Sequence, residues 1–225
     1  MAPHPHEPYW PLTGLVVRTP RLELRYPSDD DLLALAELAA KGVHAPDVMP
    51  FLFPWTRQDP GGELQRGVLQ WHWRQRGEWT PAKWSFNPVT VVGGDVVGTQ
   101  GLMGDDYGTC RVVSTGSWLG LAHQGQGIGT EMRAAILHLA FAGLGARRAE
   151  TGAWADNPAS LGVTRRLGYR DNGDRIVARE GTPTRELLFS LDRATWESRR
   201  RDDIEIVGLE PCLELFGVLP EGSDE

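Results

Sequence analysis

The sequence predicts an α/β fold, a mixed sheet with helices on its faces, and three observations carry the prediction. Strand-like and helix-like runs follow one another as β-α-α-β-β-β-α-β-α-β-β, so hairpins are mixed with a β-α-β crossover. A glycine-rich strand-to-helix turn, HQGQGIGTEM at 123–132, marks that crossover. The chain has 225 residues, 40 % of them hydrophobic and 24 % charged, enough to bury one sizeable core. One domain is expected at 15–197, between an irregular N-terminal extension at 1–14 and a C-terminal tail at 198–225.

The same numbers exclude several classes. A formal net charge of -7 argues against nucleic acid as a partner, because neutralising phosphates needs a concentrated basic surface. The basic run Arg199–Arg201 is followed at once by Asp202 and Asp203 and reads as a solvated helix end. No apolar run approaches the ~18 residues needed to cross a bilayer, so no membrane is expected. The N-terminus lacks a basic stretch followed by an apolar one, which makes the cytoplasm the expected compartment. Cys110 and Cys212 belong to no C-x-x-C pair, so neither a disulfide framework nor a bound metal is expected.

The elements follow in order. Residues 15–26 read as two short strands around the Thr19-Pro20 break, with Leu22 and Leu24 alternating against charged neighbours. Ser28 caps a helix with Asp29 to Asp31 in its first turn, Leu32, Leu35, Ala36 and Ala39 on one face, and Gly42 as its stop. Residues 43–62 form a proline-rich, partly apolar loop that is ordered rather than a linker. A second helix places Leu64, Val68, Trp71 and Arg74 on one face. KWSFNPVTVV and DVVGTQGLMG are strands joined through Gly93-Gly94-Asp95, a hairpin sequence. RVVSTGSWLGLA is the strand before the glycine turn, and Ile128, Met132, Ala135, Ile136 and Leu139 line one face of the helix after it. Strand 146–155, a short helix ended by Gly168, a strand at 169–180 and a closing strand at 184–193 complete the domain. The apolar run 203–219 adds an edge strand or covers a partner subunit.

A helix that starts at Gly127 presents unpaired N–H groups and the positive end of its dipole, which together attract phosphate. Gly125, Gly127 and Gly129 leave the main chain open to phosphate oxygens, and Thr130 adds a hydroxyl. The bland alternative is a turn that binds nothing, although glycines inside a helix cost about 1 kcal/mol each. A Walker loop is excluded for want of its Gly-Lys pair. The dinucleotide fingerprint is a near miss, because Thr130 stands where its third glycine belongs.

Gln124-Gly125-Gln126-Gly127-Ile128-Gly129 matches the Q/R-x-x-G-x-G/A signature of the GNAT acyltransferases, which the chain resembles over about residues 15–195. TPRLELR and NPASLGVTRRLGYRD resemble the RimJ/RimL branch of that family. GVHAPDVMPF, PWTR, GSWLGL, GTEMRAA, DNPAS and GYRDNG look like mycobacterial GNAT-related acyltransferases associated with succinyl-coenzyme A. The resemblance implies a mostly antiparallel twisted sheet of about seven strands with a splayed central pair. It implies acyl-coenzyme A as co-substrate, with acetyl or succinyl as the acyl group, and a primary amine on a small molecule or peptide as acceptor. A homodimer is also implied.

By the same resemblance, residues 124–130 (Gln124, Gly125, Gln126, Gly127, Ile128, Gly129, Thr130) hold the coenzyme's pyrophosphate. The Leu119 and Leu121 main chains line its pantetheine arm and supply an oxyanion donor. Asn157 contacts the arm, and Ser160 protonates the leaving thiolate. Asn157-Pro158 is also an ordinary turn and cap. Ser117 lacks the G-x-S-x-G setting of a nucleophile, and direct attack by the amine needs none. For a base, Asp105, Asp106, Tyr107, Glu150, His72 and His44 stay open, as does proton loss to water, while His138 reads as structural. Arg57, Lys83 and Arg111 are the candidate partners of a succinyl carboxylate. Trp71, Trp73, Trp55 and Phe51 to Phe53 read as core, or as an apolar acceptor groove. The alternatives are an inactive acyl-coenzyme A-binding regulator on this fold and a nucleotide-dependent oxidoreductase.

Overall fold

Ser28 starts α1 (Asp29–Ala40) with a reciprocal cap: its hydroxyl accepts the Asp31 N–H and the Asp31 carboxylate accepts the Ser28 N–H, each at 3.1 Å. This is the helix that the acidic first turn predicts. The computed structural model of the protein describes residues 6–218. Its other helices are α2 (Glu63–Gly77), α3 (Tyr107–Cys110), α4 (Ile128–His138), α5 (Pro158–Arg166) and α6 (Arg193–Glu197). The strands are β1 (Val16–Arg18), β2 (Glu23–Arg25), β3 (Lys83–Phe86), β4 (Val89–Val92), β5 (Asp95–Asp105), β6 (Val112–Leu119), β7 (Arg148–Trp154), β8 (Arg170–Arg179), β9 (Thr182–Asp192) and β10 (Glu205–Val207).

All strands join one sheet in the order β10-β1-β2-β4-β5-β6-β7-β9-β8, with β3 also beside β5. Every pairing is antiparallel except β6 with β7. The class is the expected one, but among the described residues the sheet has ten strands where about seven were expected. Pro88 has no N–H to offer a ladder, so KWSFNPVTVV divides into β3 and β4, which pair successive stretches of β5. The tail supplies β10, which pairs with β1. Gly93 and Gly94 turn the β4–β5 hairpin at φ +60° and +96°, the left-handed geometry that such two-residue turns require.

The central pair is splayed. β6 and β7 match only at Val112, Val113 and Ser114 against Arg148, Ala149 and Glu150, although the strands run on to Leu119 and Trp154. Met132, Ala135, Ile136 and Phe141 pack one face of the sheet against Leu24, Phe86, Leu102 and Leu119. The other face carries α1 and α2 through Leu32, Leu35, Leu64 and Val68.

Three expectations are corrected by packing. In α2 the buried stripe is Leu64, Val68 and His72, at spacing i, i+4, i+8, so Trp71 and Trp73 face outward rather than into the core. The tail is not free to cover a partner through residue 218. Cys212 and Phe216 are fully buried in its own core, and the Trp79 and Trp84 indoles donate to Leu215 O at 2.8 Å and Phe216 O at 3.1 Å. Arg201 is likewise not simply solvated, for it bonds Asp203 at 2.7 Å and lies 3.8 Å from the buried Glu131. Residues 1–5 of the expected extension and 219–225 of the tail lie outside the described residues. Among the described residues, no helix is long and apolar enough to cross a membrane.

Candidate active site

Gly125 and Gly127 stand at φ +73° and +79°, and nothing lies within 4 Å of where a Gly125 Cβ would project. Backbone conformation, not crowding, therefore calls for glycine at 125. Gly127 caps α4, its carbonyl accepting the Thr130 and Glu131 N–H groups at 3.2 and 3.1 Å. The N–H groups of Gln126, Gly127, Ile128 and Gly129 find no acceptor among the described residues. They form the unpaired helix start that favours an anion. Buried Ile128 anchors it, and the Thr130 hydroxyl beside it is half-buried and has no partner among the described residues. The Gln126 amide bonds back to Ala122 O at 2.9 Å.

Neighbouring side chains brace this turn. The Gln124 amide donates to Val43 O at 2.7 Å and Leu119 O at 3.0 Å, so both of its donors are spent inside the protein. Gln124 thus ties the turn to β6 and to the exit of α1, where the sequence suggested a coenzyme contact. Glu131, buried in the first turn of α4, accepts from Thr19 Oγ1 at 2.5 Å and Arg21 Nε at 2.6 Å, while Arg21 Nη1 donates to Gln126 O at 3.3 Å. The TPR stretch of the first strand pair therefore holds the glycine turn in place.

Gly120 N donates to Val97 O at 3.0 Å. By the alternation of an antiparallel ladder, the N–H and C=O groups of Thr115, Ser117 and Leu119 then turn away from β5 toward β7. Leu119 keeps its N–H for the splay, since only its carbonyl is taken by Gln124. Leu121 does not line the cleft with its backbone. Its N–H donates to Gly42 O at 2.9 Å and its carbonyl accepts Gln124 N at 3.3 Å. Across the opening, Asn157 caps α5 by accepting the Ser160 N–H at 3.1 Å, which leaves its NH2 available. The Ser160 hydroxyl is half-buried and has no partner among the described residues.

At the apex of the splay lies a residue that the sequence reading missed. Arg133, 5 % exposed, reaches from α4 to Gln100 Oε1 at 3.2 Å, Ser117 Oγ at 3.0 Å and Thr151 Oγ1 at 3.4 Å. Burial lowers its pKa, and no carboxylate pairs with it among the described residues. Its only sequence signal was a charge inside the apolar run MRAAIL.

The other candidates are scattered. Burial and Arg76 push His72 down to about 4, and it faces the core of α2. Tyr107 is fully buried and donates to Leu144 O at 2.8 Å; burial raises its pKa. Asp105 pairs in register with Lys83 beyond the closed end of the splay, bordering with Trp79, Trp84 and Ser114 a cavity of about 520 Å³. Asp106 caps α3. Glu150 lies 3.5 Å from Arg148. His138 is buried against Trp196. Arg111 lies over the Tyr107 ring, remote from the splay's open end.

One wall beside the opening comes from loop 43–62. Phe51, Trp55 and Trp118 of β6 pack in series as tilted rings, with centroids 5.1 and 5.6 Å apart, and Phe53 is 75 % exposed. His44 Nε2 lies 2.7 Å from Thr56 Oγ1. The β8–β9 tip meets this loop: Arg57 pairs with Glu180 at 3.0 Å, and Arg179 holds Asp156 at 2.5 Å while donating to Met49 O at 3.3 Å.

Structural comparison agrees with this architecture. The chain superimposes on Mycobacterium smegmatis RimJ in complex with coenzyme A disulfide at a TM-score of 0.66, with 21 % identity over 82 % of this chain and 90 % of that one. RimL, the ribosomal L7/L12 α-N-protein acetyltransferase, matches at 0.64 with 20 % identity over 79 % and 97 %. A GCN5-related N-acetyltransferase from Brucella melitensis also matches at 0.64, with 20 % identity over 82 % and 81 %. These likenesses concern the fold. Residues 21–170, which include the glycine turn and both splayed strands, match the acetyltransferase (GNAT) domain model. The chain belongs to the GNAT acetyltransferase family.

Proposed function

We propose that the protein transfers an acetyl or succinyl group from acyl-coenzyme A to a primary amine, by direct attack within a ternary complex. The observation that carries the reading is a splayed strand pair whose open end adjoins the unpaired N–H groups of the glycine turn. Residues 125–130 take the pyrophosphate, and the free edges of Ser117 and Leu119 take the pantetheine amides. The Leu119 N–H is the oxyanion donor in place of Leu121, whose backbone is already paired. Asn157 offers its NH2 to the arm, and the Ser160 hydroxyl lies on the same side of the opening.

The amine enters on the side of Phe51, Trp55 and Trp118. The likeness to RimL, an α-N-protein acetyltransferase, makes a peptide N-terminus the first acceptor to try, beside a lysine peptide and a polyamine.

Thermal melts with acetyl-CoA, succinyl-CoA, coenzyme A and NADH test the reading. A ligand at 100 times its Kd adds about 2.7 kcal/mol to the folded state. Shifts with the coenzyme A species but not NADH are expected, and a larger shift with succinyl-CoA identifies the acyl group. Absence of any coenzyme A shift defeats the reading. Binding without turnover on the three acceptors supports the inactive alternative.

A further inference from the structure

Arg133 places a charge in the interior with only neutral partners. Buried charges are ordinarily matched by an opposite charge, because desolvation otherwise goes uncompensated. Around Arg133 the hydrogen-bonding capacity divides unevenly. Gln100 is oriented by its NH2, which donates to Gly101 O at 3.1 Å and Gly116 O at 3.0 Å, so its oxygen faces the guanidinium. Thr151 accepts from Arg133 and spends its own proton on Thr115 O at 3.0 Å. Thr115 Oγ1 is occupied by Glu150 O and Tyr169 Oη, each at 3.4 Å. Ser117 differs. Its oxygen accepts from Arg133 at 3.0 Å, and its proton has no acceptor among the described residues.

A hydroxyl whose oxygen accepts from a cation is a stronger donor, and strongest where the dielectric is low. Ser117 lies in the part of β6 that pairs with β5 but not with β7, three residues past the last β6–β7 match, and is only half-buried. We propose that Ser117, polarised by Arg133, is the hydrogen-bond donor to the thioester sulfur and stabilises the leaving thiolate, in place of Ser160, to which the resemblance gives that role.

The proposal rests on the acyl-coenzyme A reading. The amine nitrogen bonds to the acyl carbon, the C–S bond breaks, and its electron pair moves onto the sulfur that Ser117 holds. The proton shed by the ammonium intermediate finally neutralises the thiolate, so amine and thioester give amide and thiol. The titratable and charged groups around Ser117 are Arg133 from α4, Tyr169 before β8, Glu150 with Arg148 on β7, and Glu186 on β9. Glu186 is held by Arg175 at 2.6 Å.

Calorimetric titration with coenzyme A and acetyl-CoA between pH 7 and 10 reads the donor without needing an acceptor, because only coenzyme A carries an ionisable thiol. A site that favours thiolate binds coenzyme A more tightly, relative to acetyl-CoA, as pH rises through the thiol range. Each unit of depression in the bound thiol's pKa gives about tenfold. The wild type is expected to gain about tenfold, Ser117→Ala and Arg133→Met to lose that gain, and Ser117→Thr to keep it. A melt of each variant separates this loss from misfolding, and the neutral Arg133→Gln serves if the Met variant does not fold. Three outcomes overturn the proposal: parallel affinities for the two ligands across pH in the wild type, a gain that survives Ser117→Ala, or a gain removed only by Ser160→Ala. An Arg133→Met effect confined to succinyl-CoA overturns it too, since the charge then serves a carboxylate. If neither ligand binds the wild type, the acyl-coenzyme A reading itself has failed.

Discussion

At Gly127 the backbone stands at φ +79°, a conformation that costs an L side chain about 1–2 kcal/mol. Gly129 sits two residues on, inside α4, where an added Cβ would meet only Leu119 and Val163 at ordinary distances of 3.7 and 3.8 Å. The two glycines should therefore respond oppositely to alanine. Gly127→Ala is expected to lower stability by about 1–2 kcal/mol and weaken coenzyme A at least tenfold, because the unpaired N–H groups no longer converge. Gly129→Ala is expected to raise stability by up to about 1 kcal/mol through helix propensity. It should leave coenzyme affinity within a few-fold, as the G/A alternative in the signature implies. Melting curves and titration of both variants check this pair. The glycine positions were legible because a left-handed turn selects one residue type. Arg133 was not, because a charge in a helix usually lies outside, and only the fold shows it turned inward against Ser117 and Thr151.

Among the elements, the β8–β9 hairpin and loop 43–62 form one wall through Arg179. Its guanidinium lies over the Trp154 ring at 4.9 Å, bonds Asp156 and donates to Met49 O. Arg179→Ala is expected to raise the acceptor KM several-fold while leaving coenzyme affinity unchanged, since the clamp touches the loop and not the glycine turn. Steady-state kinetics with each substrate varied in turn measures the split. Gln124→Ala should act on the other side. Losing two bonds to the Val43 and Leu119 carbonyls costs about 1–3 kcal/mol and loosens the turn, so both stability and coenzyme affinity fall. The existence of α1, α2, α4 and α5 was readable from caps and apolar spacing, whereas the short α3 and α6 were not. The face of α2 was misjudged because Trp71 and His72 are one step apart on the wheel, and burial chose the smaller ring. Two of the strands needed the partner strand to define them, since β3 and β4 are separate only as ladders on β5.

For the whole molecule, the tail and the pH response are the informative tests. Phe216, fully buried, packs edge-on against Trp84 at 4.8 Å and Trp79 at 5.4 Å. Phe216→Ala is expected to cost about 3–5 kcal/mol, far more than a loose appendage would show in a denaturant melt. Buried His72 is neutral when folded, with its pKa pushed down to about 4 by burial and Arg76. Between pH 6.5 and 4 the unfolded chain therefore binds more protons, so stability falls as pH drops through this window, by up to about 3 kcal/mol. His72→Gln should flatten that part of the stability–pH curve, and an unchanged slope would refute the assignment.

The sequence by itself determined the α/β class, the order of most elements, the phosphate-type turn and the family signature, since each depends on local periodicity, capping or a glycine backbone. Tertiary structure alone decided that Gln124 and Leu121 spend their polar groups internally, that the tail completes the core, and that Ser117, Thr151 and Arg133 meet at one apex. Most of those contacts join residues far apart along the chain, which carries no local signal of them, and the Ser117–Thr151–Arg133 apex forms where the parallel pair opens beside α4.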